Sequence, residues 1–166
     1  MAGENGWENI VPFLGAATAK AQPPPDPEML GVLRALRDLW RRTQLAGRGD
    51  FDRACLLIGG NATTTAERYA SAFFQGAQIF ARRRMTFFNS RSATFSDDEM
   101  WLARILQALH NEDYTSARYL MALRIAPDGA RRLMFLAQGL ASHLWPRAAD
   151  RQDRLENNEP SLGDDT

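Results

Sequence analysis

Apolar side chains along this chain recur at three- and four-residue intervals, and no stretch keeps the two-residue alternation of a half-buried strand long enough to build a sheet. Met29, Leu33, Leu36 and Trp40 mark one face of a first helix, opened by Asp26 as a cap with Pro27 at the first helical position and ended by Gly47. Asp50 is placed to cap a short second helix, in which Phe51, Ala54, Cys55 and Ile58 share a face before Gly59-Gly60 stops it. Thr64-Thr65-Ala66-Glu67 reads as a capping box that opens the longest helix, expected over 64–88. On it Tyr69, Phe73, Ala77, Phe80 and Ala81 face inward, while Ser71, Gln75, Gln78 and Arg82 form a polar stripe. Phe73, Phe80 and Phe87 fall seven apart, the spacing of buried rings on one helix face.

Ser96-Asp97-Asp98-Glu99 reads as a second capping box, followed by Leu102, Ile105, Leu106 and Leu109 on one face up to His110. Asp113 is positioned to cap the next helix, which must end near Ile125 because Pro127 disfavours helical geometry at Ala126. The last helix, expected over 128–144, carries Ala130, Leu133, Met134, Ala137, Leu140 and Ala141 in core spacing. These elements predict an all-α five- or six-helix bundle over residues 28–146. A motif Ala-Arg-x-Leu-x-x-Leu starts at Ala103, Ala117 and Ala130. Its period is one helix, whereas helical solenoids repeat a helix pair, so ordinary amphipathic helices account for it.

Outside the bundle the pattern changes. Residues 15–27 lack large apolar side chains and end in prolines that favour extended polyproline geometry, which reads as a linker. Before it stands the apolar island Trp7-Glu8-Asn9-Ile10-Val11-Pro12-Phe13-Leu14, too short to make a core, so that residues 1–27 form an N-terminal arm. Residues 147–166 have almost nothing to bury and are expected to be a disordered acidic tail.

Charge is balanced overall but segregated along the chain. In residues 1–30 Lys20 stands against Glu4, Glu8, Asp26 and Glu28, a balance of −3; residues 31–149 hold 17 Arg against 10 carboxylates, +7; residues 150–166 hold Arg151 and Arg154 against six carboxylates, −4. A basic middle between acidic ends attracts either an anionic partner or the ends themselves. Lys20 is the only lysine, but a general compositional preference for Arg explains that without a function. The acidic start is unlike a signal peptide, no apolar stretch approaches the roughly 20 residues needed to span a bilayer, and Cys55 has no cysteine partner. We therefore expect a cytoplasmic protein without membrane association. With His110 and His143 as the only histidines there is no thiol–imidazole set for zinc, and no cofactor or metal is expected.

Residues 68–96 contain no carboxylate but interleave Arg68, Arg82, Arg83, Arg84 and Arg91 with seven aromatics, the combination that holds single-stranded nucleic acid through phosphate neutralisation and base stacking. Arg82, Arg83, Arg84 and Arg91 are the candidate anion or nucleic-acid contacts, against a reading in which the rings fill the core. A helix-turn-helix over the last three helices is disfavoured because Glu112 and Asp113 in the connection would repel DNA. His110, Glu112 and Asp113 cluster, as do Asp97, Asp98 and Glu99, yet helix capping and dipole complementarity explain both groups without catalysis. Gly59-Gly60-Asn61 lacks the continuation of a phosphate-binding loop. The Trp-bearing island remains: Trp7, Ile10, Phe13 and Leu14 are candidate partner-binding residues, because large aromatic anchors dominate interface energetics, or else they cover a groove on their own bundle. The expected function is that of a non-enzymatic regulatory or adaptor module acting through protein contacts. The alternative is a nucleic-acid-binding protein; a small enzyme is a third reading, which a deep polar pocket around His110 would revive.

Overall fold

A computed structural model describes residues 25–45, 49–60 and 63–145. It is an all-α bundle of six helices: α1 (Pro27–Leu45), α2 (Phe51–Gly59), α3 (Ala66–Phe80), α4 (Asp97–His110), α5 (Tyr114–Arg124) and α6 (Pro127–Leu144). The candidate docking residues Trp7, Ile10, Phe13 and Leu14, most of the linker and the acidic tail lie outside the described residues. Among the described residues no helix is long and apolar enough to cross a membrane.

Most helix starts are set by local side-chain caps. The Asp26 carboxylate accepts from the Met29 amide at 2.7 Å, Asp50 from the amides of Asp52 and Arg53, and Asp113 from the Ser116 amide at 3.0 Å. Ser96 and Glu99 complete the reciprocal capping box of α4. On α3 the register is one residue later than the sequence suggests: Thr65 is the cap, its hydroxyl accepting from the Arg68 amide, and Glu67 lies in the first turn and pairs with Arg42 at 3.7 Å. Pro127 opens α6 without any side-chain cap.

α3 is the middle of the bundle, packed against α1, α2 and α6. Phe73 and Phe74 on it are fully buried with Leu33, Leu36, Leu102, Ile105, Leu106, Leu133, Leu136 and Leu140. Burying side chains of this size stabilises the fold by roughly 1.5–3 kcal/mol each. α3 and α6 approach closely because α6 has glycines where α3 has rings. A Cβ at Gly129 would lie 2.3 Å from Phe80 Cγ, and one at Gly139 would lie 2.2 Å from Tyr69 Cε1. The three Ala-Arg-x-Leu-x-x-Leu segments are not equivalent in space. Leu109 and Leu136 at the motif's last position are buried, whereas Leu123 on α5 is exposed, as expected for three amphipathic helices rather than a repeat.

The expected helix 64–88 ends at Phe80, which corrects the sequence reading. Ala81-Arg82-Arg83-Arg84-Met85 has good intrinsic helix propensity, but tertiary bonds take its backbone elsewhere. The Phe80 carbonyl, which a continuing helix would use internally, accepts from the Ala126 amide at 2.8 Å, and the Arg82 amide donates to the Arg124 carbonyl at 2.8 Å. This antiparallel bridge between Ala81 and Ile125 diverts the chain into a non-helical segment, 81–96. Phe87 consequently does not continue the buried stripe of Phe73.

Candidate docking groove

Segment 81–96 is held down by three side chains on α1 and α4. Glu99 is fully buried; its Oε1 accepts from Arg37 Nε at 2.6 Å and from the Phe88 amide at 3.0 Å, and its Oε2 accepts from the Ser96 amide at 2.7 Å and from Arg37 Nη2 at 3.1 Å. Arg37 uses its other donors on the segment's backbone, giving Nη1 to the Ser92 carbonyl at 2.8 Å and Nη2 to the Thr94 carbonyl, while its guanidinium lies 4.4 Å from the Phe95 ring centroid. Asp98, also buried, accepts from the Thr86 amide at 2.8 Å and from Arg83 Nη2 at 3.1 Å, and Arg124 Nη1 adds an ion pair to the same oxygen as Arg83. Burial, then repulsion from Arg83, pulls the Arg124 guanidinium below the usual arginine range, against the attraction of Asp97. The Ser96 hydroxyl closes the set by donating to the Thr86 carbonyl at 2.5 Å.

Every lone-pair direction of Glu99 is therefore spent, which is the condition under which a buried ion pair is tolerated. The arrangement converts an irregular segment into a fixed wall. The sequence reading assigned Asp98 and Glu99 only to the helix start. Asp97 is exposed and fits that role, whereas Asp98 and Glu99 bind backbone and arginine across the fold. No local signal reveals this, because Arg37 and Glu99 are 62 residues apart.

Between this wall, α1 and α3 lies an open groove of about 1070 Å³. Its floor is a triangle of rings from three elements: Trp40 stacks on Phe87 at 4.7 Å, and Phe74 meets Trp40 edge-on at 5.0 Å and Phe87 at 5.2 Å. Gln78 and the guanidinium-bearing Arg83 and Arg84 also line it. Gln75 lies here too, its Nε2 donating to Ser71 Oγ at 3.3 Å.

The sequence-predicted anion contacts are placed differently from expectation. Arg82, Arg83, Arg84 and Arg91 are all exposed, but on segment 81–96 rather than on a helix stripe, and Arg83 is partnered by Asp98. Most rings of the 68–96 stretch face the protein. Phe73 and Phe74 are in the core, Phe87 lies against Trp40 and Phe95 under Arg37, leaving Phe88 exposed.

His110 stacks on Trp145, with centroids 5.8 Å apart, beside a smaller cleft. Asp113 is committed to capping α5, and hydrogen bonding from the Ser116 side chain and backbone holds its carboxyl below the ordinary carboxylate range. Burial pushes the Cys55 thiol up, against the field of Arg132, which keeps it in its less nucleophilic neutral form. Among the described residues no three His, Cys, Asp or Glu side chains are arranged to hold a metal ion. Comparison with family models, curated proteins and solved structures gives no match for this chain.

Proposed function

We propose that the protein is a non-enzymatic regulatory or adaptor module that acts in the cytoplasm through protein contacts, and that the groove between α1, α3 and segment 81–96 is its docking surface. The observation that carries this reading is the partly exposed stack of Trp40 and Phe87, backed by the buried Phe74, beside the arginines of the wall. Aromatic anchors inside a preformed hollow, with charge close by, are the features of interaction hot spots. The matching occupant is an acidic segment bearing one large apolar side chain. The island Trp7-Glu8-Asn9-Ile10-Val11-Pro12-Phe13-Leu14 is the chain's second proposed contact element, with Trp7, Ile10, Phe13 and Leu14 as its anchors. The absence of catalysis is part of the proposal. It is supported by the buried acids Asp98 and Glu99, which are already committed to hydrogen bonds.

A photo-crosslinking amino acid at Gln78, on the full-length protein in its native host, tests the proposal. The expected product is an adduct with an acidic, aromatic-bearing segment of another protein, lost when Arg84→Glu reverses the charge of the wall. Adducts confined to nucleic acid would replace this reading with the alternative, in which Arg82, Arg83, Arg84 and Arg91 contact phosphate. The exposed positions of these four arginines favour that alternative, and a steep fall of binding with salt would be its signature.

A further inference from the structure

At the end of α3 opposite the groove, a second concave surface of about 360 Å³ opens between α3, α4, α5 and α6. Its lining is ring-rich because of Gly139: without a Cβ there, Tyr69 lies directly against the α6 backbone. Phe135 packs edge-on to Tyr69 with centroids 6.4 Å apart, the His110–Trp145 stack contributes two further rings, and Tyr114 joins from the start of α5. Phe135 and Tyr114 remain 48% and 43% exposed, so these rings are not closed off by the bundle.

The charge of this cleft is unlike that of the other ring clusters. Elsewhere arginines sit on rings, Arg37 over Phe95, Arg124 over Trp101, and Arg132 over Phe51 and Phe80, or line the same hollow, as Arg83 and Arg84 do beside Trp40 and Phe87. Among the described residues no arginine or lysine lines the cleft, and its charged side chain is Glu112. Glu112 is held there with φ at 60°, a left-handed backbone rare for residues other than glycine, by a turn in which the Asp113 amide donates to the Ala108 carbonyl at 2.8 Å. Aromatic faces together with a single carboxylate attract a cation. An ammonium or guanidinium with N–H groups would bring three to five donors needing acceptors, and both lone pairs of the Gly139 carbonyl in the cleft are already taken, by the Ser142 hydroxyl and by His143 Nδ1 at 2.8 Å each. A methylated ammonium brings charge and apolar surface without donors.

We propose that this cleft binds a quaternary ammonium group, carried either by a small molecule or by a trimethylated lysine side chain. Tyr69, Tyr114 and Phe135 supply ring surface and Glu112 the counter-charge. The site is independent of the docking groove and of the reading based on it.

The test is a titration of the full-length protein followed through the amide resonances of Gly139 and Trp145. The probes are choline, its uncharged isostere 3,3-dimethylbutanol and a short peptide containing trimethyllysine. Choline or the peptide should shift both resonances saturably while the isostere does not, and the tighter of the two charged probes identifies the source. Glu112→Gln should weaken binding roughly fivefold, the range of one exposed cation contact. Phe135→Ala should weaken it further while leaving resonances elsewhere in place, since that ring is half exposed. Equal response to the isostere would reduce the site to a plain apolar cleft and overturn the proposal, as would the lack of any saturable response. Saturation that appears only in an Arg147→Ala variant would also overturn it, since the cleft's cation would then be the chain's own Arg147, two residues beyond Trp145.

Discussion

The two hollows at the ends of α3 are both ring-lined, yet they are built and charged in opposite ways. The groove at Phe74 has a wall of irregular chain suspended from buried charges, and its ionic side chains are the cations Arg83 and Arg84. The cleft at Tyr69 sits directly on helices brought together by a missing Cβ at Gly139, and its charge is Glu112. A ring at the surface therefore does not define a ligand class. What lies beside it, and what fixes that neighbour, decides whether the hollow suits an anionic or a cationic group.

The construction difference leads to a hierarchy of expected effects. The largest belongs to Glu99→Ala, which strands the buried Arg37 guanidinium and removes the acceptor of the Phe88 and Ser96 amides. A loss of about 3–5 kcal/mol in urea unfolding is expected, as for breaking a buried pair. Amide exchange should accelerate across 86–96 while the Gly139 region keeps its protection; uniform acceleration at both ends would erase the distinction. Replacing both partners, Arg37→Met with Glu99→Leu, should remain destabilising. An isolated buried pair is often replaceable at no net loss, but this one also satisfies backbone groups.

Gly139→Ala perturbs the other hollow. The new methyl meets the Tyr69 ring, so overpacking should cost about 1–3 kcal/mol. The Tyr69 resonances should move while those of Trp40 and Phe87 stay fixed. A neutral outcome would show that Tyr69 turns aside freely and that the cleft is not shaped by the glycine.

Smaller still is Arg84→Glu, which changes an exposed side chain that has no ion-pair partner among the described residues. Stability should stay within about 0.5 kcal/mol, as for ordinary surface positions. Partner capture or polyanion retention should nevertheless fall, separating binding from folding in a way that Glu99→Ala does not.

The smallest effect is a pH dependence at Asp113. Its carboxyl is held below the ordinary range by Ser116, so its contribution to stability is present above that range and is lost as pH falls through the lowered folded value. Melting curves of the wild type and Asp113→Ala should differ slightly at neutral pH and coincide in acid. A gap persisting in acid would mean that the cap acts through something other than the ionised carboxylate.

By itself the sequence determined most helix starts and much of the inward faces; it placed the cap of α3 at Thr64 instead of Thr65 and the start of α6 at 128 instead of Pro127, and it passed over the buried Phe74, Trp101 and Leu136. Asp26, Asp50, Ser96 and Asp113 cap through bonds that span two or three residues, and apolar spacing along each helix picks out Leu33, Phe73, Leu106 and Leu140 as core. Only the tertiary structure decided where α3 stops, because the residues that claim the backbone after Phe80 are Arg124 and Ala126, far along the chain. It likewise decided that Asp98 and Glu99 are buried, since their partners Arg37, Arg83 and Arg124 come from other elements. Both hollows belong to this second category. Each gathers rings from at least three helices or segments, and a local periodicity states which residue turns inward on one helix but not which residues of different helices come to share a wall.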